Sequence, residues 1–163
     1  MDTESKKNSA ASQALLDAAF ICDLIQARTL LAAGADPNAR DEDGRTPLFS
    51  AVLGASIGLV GLLLESGADI NARDSQGFTP LHYCAQEDLL EMTRLLISRG
   101  ADVNAQDEDG SSVLWRAVFS ERNRRDVALA LLAAGAKPDV PNRSGETPRA
   151  LAGRLGSGIF DSN

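Results

Sequence analysis

Residues 74–106 read DSQGFTPLHYCAQEDLLEMTRLLISRGADVNAQ. The order of residue types in this stretch decides the fold. Thr79 stands before Pro80. Thr is a good helix N-cap and Pro is tolerated at the first helical position, so the pair opens a helix. The apolar block Leu95-Leu96-Ile97 runs toward Gly100. A Gly just past a helix adopts the left-handed conformation that closes it. A lone pair of such helices cannot bury its apolar face, so units of this kind must stack on one another.

The stretch recurs along the chain. Gly-Ala-Asp-Pro starts at Gly34, Gly-Ala-Asp-Ile at Gly67, Gly-Ala-Asp-Val at Gly100 and Gly-Ala-Lys-Pro at Gly135. A second series starts at Asp41, Asp74, Asp107 and Asn142, each followed three residues later by Gly. Thr46-Pro47, Thr79-Pro80 and Thr147-Pro148 mark three helix starts, and leucine-rich blocks precede each closing glycine. Two independent series with a common period of about 33 residues point to a repeat array.

These motifs resemble the ankyrin repeat, whose pattern is DxxGxTPLHxA followed by a second helix ending LLxxGADxN. The resemblance covers about residues 12 to 155. It implies an all-α repeat solenoid of helix-turn-helix-hairpin units, about five including caps. The expected organisation is a disordered tail over residues 1–11 and a single repeat domain over 12–163. Its units are 12–40, 41–73, 74–106, 107–141 and 142–163. The fourth departs most: Ser112-Val113-Leu114-Trp115 replaces Thr-Pro-Leu-His, and residues 120–126 (SERNRRD) form an inserted basic loop. Asp139 stands where the other repeats carry Asn38, Asn71 and Asn104. Asp accepts hydrogen bonds but does not donate them, so the last hairpin is expected to be looser.

Composition narrows the function. Aromatic residues are only 4% of the chain, so the core must be built from Leu, Ala, Val and Ile. The net charge of −7 repels phosphate backbones and disfavours nucleic acid as a partner. No apolar run approaches the roughly 18 residues of a membrane span, and the polar N-terminus is not signal-like. Cys22 and Cys84 form no CxxC pair. The expectation is a cytoplasmic monomer that meets no membrane.

The search for chemistry is short. His82 is the one histidine and falls within the TPLH motif, where the resemblance implies a hydrogen bond between helix and loop. Cys84 occupies the small-residue position filled by Ala51 and Ala117, so it is expected in the core. Cys22 falls at an inter-helix turn, where ankyrin repeats often carry Gly. Gly54, Gly58 and Gly61 lack the preceding strand and the following Lys-Ser/Thr of a phosphate loop. The acidic triplets at 41–43 and 107–109 lack the ligand ladder of a calcium loop. No catalytic residue, metal ligand or cofactor is expected.

The resemblance implies that hairpin tips and the outward side of each first helix line a partner-binding surface. The tips contribute Glu42, Asp43 and Arg45, then Gln76 and Phe78, then Glu108 and Asp109. The first helices contribute Phe20, Leu53, Tyr83, Gln86, Glu87, Arg116 and Phe119. Apolar anchors ringed by polar groups are the usual form of a binding hot spot. The acidic tips predict a partner protein with a basic surface and a salt-sensitive association. Residues 114–126 and 141–152 resemble free-standing bacterial ankyrin proteins, some associated with toxin loci. That implies a protein-binding module acting as an inhibitor or immunity protein; the alternative is a scaffold or adaptor. Around Asn71 and Asn104 the sequence also resembles ankyrin segments modified by an asparagine hydroxylase.

Overall fold

The computed structural model describes residues 3–120 and 125–160. The expected basic loop over 120–126 therefore lies mostly outside the described residues. Among the described residues there are nine helices and one isolated antiparallel bridge, Gln106 to Ser112. The chain divides into two compact units, Met1–Ser75 and Gln76–Asn163.

The first unit holds α1 (Thr3–Phe20), α2 (Leu24–Ala32), α3 (Pro47–Leu53) and α4 (Ile57–Glu65). Residues 3–11 are the opening turns of α1, where a disordered tail was expected. No Thr-Pro pair marks this start, but Glu4, Lys6, Lys7, Ala10 and Ala11 all favour helix. Leu15, Ala19, Ala27, Leu48, Phe49, Val52, Leu59 and Leu63 are fully buried. The second unit holds α5 (Pro80–Glu87), α6 (Leu90–Ser98), α7 (Val113–Phe119), α8 (Arg125–Ala133) and α9 (Pro148–Leu155). Its core is Leu81, Cys84, Leu96, Val113, Leu114, Ala128, Leu131 and Leu151. In both units the first helices pack on first helices and the second on second, α1 on α3, α5 on α7 and α6 on α8.

Helix ends follow the residue types. Pro47, Pro80 and Pro148 each sit at the first helical position, and Thr147 Oγ1 accepts the Ala150 amide at 3.0 Å. Ser112, which replaces Thr, still caps α7 by accepting the Trp115 amide at 3.1 Å. Second helices close on Gly34, Gly67, Gly100 and Gly135, all with φ near +90°. Three first helices, α1, α3 and α5, close in the same left-handed way but without glycine: Cys22, Ala55 and Asp88 have φ of 56°, 51° and 58°. The amides of Asp23, Ser56 and Leu89 then reach back to the carbonyls of Ala18, Ala51 and Cys84, the bond that ends a helix in a Schellman turn. A side chain with a Cβ costs about 1–2 kcal/mol in this conformation.

Between repeats, one amide side chain does two jobs. Asn38 donates to the Gly67 carbonyl at 3.0 Å and accepts the Asp69 amide at 2.7 Å. Asn104 does the same in the second unit, to the Gly135 carbonyl at 3.3 Å and from the Lys137 amide at 2.9 Å. Asp139 meets a different partner. Both its carboxylate oxygens bind Arg149 of α9, at 2.7 and 3.2 Å. The Arg149 hydrogen bond holds the Asp139 carboxyl below its ordinary value. The last hairpin is thus tied to α9 by an ion pair, where a looser hairpin was expected.

Two outcomes follow for stability and reactivity. Ala55→Gly should raise unfolding free energy in urea by about 1 kcal/mol, because it relieves the left-handed Cβ, whereas Gly67→Ala should lower it. Burial pushes the Cys84 thiol up to about 12. Iodoacetamide at mildly alkaline pH should therefore label half-buried Cys22 and spare Cys84. Because the folded thiol holds its proton more tightly, the linked stability is complete below the ordinary thiol value of 9.0 and falls as pH rises toward 12.

Candidate functional site

Three of the hairpin tips are each built by one side chain at the base. Asp41 Oδ1 accepts the amides of Asp43 and Arg45, at 3.0 and 2.8 Å. Asp107 Oδ1 accepts those of Asp109 and Ser111, both at 2.9 Å. Asn142 does the same for Ser144 and Glu146. With the tip amides satisfied inward, the tip side chains turn outward. Neighbouring tips are joined through the backbone: Ser75 donates to Asp43 in the first unit, while Glu108 donates to Gln76 and Arg143 to Asp109 in the second.

In the first unit the tip presents Glu42 and Asp43, the latter 65% exposed. Arg45 is not a free rim cation. It lies 3.4 Å from Asp43 and 3.9 Å from the buried carboxylate of Asp74. At the far end of the first helices, Phe20 and Leu53 stand exposed.

The second unit carries a stacked assembly. The Phe78 ring lies over His82 with centroids 5.5 Å apart, and Tyr83 meets it edge-on at 5.6 Å. The Arg116 guanidinium sits 4.7 Å above Phe78 and 5.4 Å from the Trp115 ring. It also donates twice to Asp107 Oδ2, at 2.9 and 2.6 Å. Trp115 in turn stacks on Phe119, 4.9 Å away and nearly parallel. Phe119 is 51% exposed at the end of α7; Gln86, exposed, and Glu87, half-buried, stand at the matching end of α5, while Gln76, Glu108 and Asp109 are exposed at the hairpin tips. Ser120 Oγ donates to the Gln86 carbonyl at 2.9 Å and ties the ends of α5 and α7 together.

This geometry revises the expected anchors. Tyr83 is buried, Phe78 half-buried and the Arg116 side chain only 19% exposed. The three form a supporting layer, because the guanidinium is drawn down onto the buried Asp107 carboxylate and covers the Phe78 face. Phe20 and Phe119 are the aromatic groups left for contact. Of the expected apolar residues, Phe20 and Leu53 belong to the first unit, and Phe78, Tyr83 and Phe119 to the second. Sequence reasoning did not identify Trp115 and Asp107 as parts of the site. The four-residue spacing of Trp115 and Phe119, which aligns side chains on one helix face, was the available signal.

The groups weighed for chemistry are otherwise occupied. His82 Nδ1 accepts from the Thr79 amide at 3.1 Å and lies 2.9 Å from Thr79 Oγ1, while Nε2 faces the Ser111 carbonyl at 3.4 Å. That is the expected tie between helix and loop. Cys84 is fully buried. Among the described residues, no group of three or more His, Cys, Asp and Glu could hold a metal ion. Nor is any helix among them long and apolar enough to cross a membrane.

The comparisons agree with this geometry. A family model described as ankyrin repeats (3 copies) matches residues 15–107, more than half of the chain. A search of curated proteins found no match. With paired helices, left-handed glycine closures and hairpins linked by asparagine at the same period, the chain belongs to the ankyrin-repeat family.

Proposed function

We propose that the chain binds a partner protein through its hairpin tips and first-helix ends, and acts by occupying that partner's surface, as an inhibitor or immunity protein does. Ankyrin repeats are in general protein-interaction modules, and this chain is one of them. The observation that supports the finer reading best is the supported Phe119. Its ring lies against Trp115, and beneath that pair Arg116 is clamped between two aromatic rings and a buried carboxylate. An anchor held this way loses little freedom on binding, which is how preorganisation raises affinity.

The sign of the partner follows from the tips. Glu42, Asp43, Glu108 and Asp109 are all exposed, and the Asp109 side chain is 83% accessible. Acidic tips of this kind in each unit accelerate encounter with a basic surface and make the association salt-sensitive.

The test is affinity capture from the source organism at low salt, with Glu108→Gln/Asp109→Asn/Phe119→Ser run beside the wild type. All three positions are exposed, so the variant should keep its helical circular dichroism. A protein retained by the wild type and lost by the folded variant is the expected result. Equal retention by both would reject this surface. Raising the salt from about 50 to 200 mM should weaken capture by the wild type. Under the immunity reading, the captured protein should be a toxin whose activity falls when this chain is added.

A further inference from the structure

Eight large apolar side chains stand exposed among the described residues, and five of them lie in the first unit: Phe20, Ile21, Ile25, Leu53 and Ile57. Phe20 and Ile25 are each 80% exposed. The five flank two turns. Phe20 and Ile21 lie at the end of α1, Ile25 near the start of α2, Leu53 at the end of α3 and Ile57 at the start of α4. The turns lie side by side. A Cβ built on Gly54 would overlap Cys22 Sγ, and one on Gly58 would stand 3.6 Å from Leu24 Cδ2. The result is one apolar edge, at the opposite end of the first helices from the 41–45 hairpin.

The fold does not require this edge to be apolar. One repeat further on, the position of Phe20 is held by Leu53, and two repeats on by Gln86. Ile21 corresponds to Gly54 and Glu87, and Ile25 to Gly58 and Glu91. Those polar residues occupy the same structural positions, so the fold accepts either character there. Three repeats on, Phe119 again places an exposed aromatic at the position of Phe20, and the apolar cluster of five is densest in the first unit. Contiguous exposed apolar surface of this kind marks an interaction site.

We propose that this edge docks a protein segment that joins apolar side chains to flanking Lys or Arg. The proposal rests on reading the chain as a protein-binding module and deepens it at the first-helix ends of the first unit, where Phe20 and Leu53 were already expected to meet a partner. Charge selects the occupant. Asp17 is exposed one turn before Phe20 and Ile21, and Asp23 caps α2 between Ile21 and Ile25. Residues 46–64 carry no charge, and Arg28, one turn past Ile25, is the one cation on α2. Across Met1–Ser75 there are 6 Lys and Arg against 11 Asp and Glu, a balance of −5 of the chain's −7. A second copy docking symmetrically on this edge would set these acids against themselves, and an anionic lipid surface would meet the same repulsion. An apolar segment with basic flanks meets both the apolar side chains and the acids.

The test measures anisotropy of a labelled helical Leu/Lys peptide at low ionic strength, with a Leu/Glu peptide of the same apolar face as comparison. Wild type should bind Leu/Lys at least about tenfold more tightly than Leu/Glu. Phe20→Ser/Ile25→Ser should weaken Leu/Lys binding by about tenfold or more with circular dichroism unchanged. The hairpin variant Glu108→Gln/Asp109→Asn/Phe119→Ser should bind Leu/Lys as the wild type does. Absent Leu/Lys binding, equal binding by the double variant, or loss in the hairpin variant would overturn the proposal. So would tight binding of Leu/Glu, a wild-type dimer in sedimentation that the double variant dissolves, or retention on phosphatidylglycerol vesicles. Failure of the broader partner-binding reading would show instead in the capture experiment, which leaves Phe20 and Ile25 intact.

Discussion

The side-chain amide of asparagine carries a donor and an acceptor a fixed distance apart, and the repeats depend on that fact. Asn38 and Asn104 each bind a carbonyl just past the next second helix and an amide in the turn after it. This sets the register between neighbouring hairpins. Once it is set, helices of seven to nine residues, too short to be stable alone in water, find their apolar faces matched. Asp139 lacks the donor and is held differently, by the guanidinium of Arg149, which also lies 4.8 Å over the Phe160 ring. The same position in the repeat thus serves either to join a following hairpin or to brace α9.

A frame held by backbone hydrogen bonds leaves many side chains without a structural duty. Tip residues flanking Asp41, Asp107 and Asn142 vary freely because the turn is satisfied by the residue at its base. The fourth repeat shows how far such variation extends. With Trp115 in place of the usual His and Arg116 one residue later, the carboxylate of Asp107 both builds its own turn and pairs with a part-buried guanidinium. Binding character is therefore written in positions that the fold leaves open, while the period and the helix ends stay the same.

Much of this architecture was legible in the sequence, because repeated signals reinforce one another. Pro47, Pro80 and Pro148 marked helix starts and Gly34 to Gly135 marked helix ends, and each has a local physical cause. The start at Thr3 was hidden, since helix propensity alone opens α1 and no capping pair announces it. The left-handed turns at Cys22, Ala55 and Asp88 were equally hidden, since only their place in the repeat suggests that conformation. For the surface, the hairpin acids were read correctly as exposed. The burial of Tyr83 and the withdrawal of Arg116 were not legible. They depend on a guanidinium meeting a ring 38 positions earlier in the chain, and no local pattern encodes that contact.

The glycine-free turns have a consequence for motion. A residue with a Cβ in the left-handed region raises the energy of the closed turn relative to its opened forms, so amide protons there exchange with solvent at lower free-energy cost than those within the helices. Cys22 and Ala55 close the two turns beneath the exposed side chains of Phe20, Ile21, Leu53 and Ile57. The most apolar edge of the first unit is therefore mounted on turns whose closed form carries a steric cost. Opening either turn would loosen the side chains it carries before the buried helix faces behind them are disturbed.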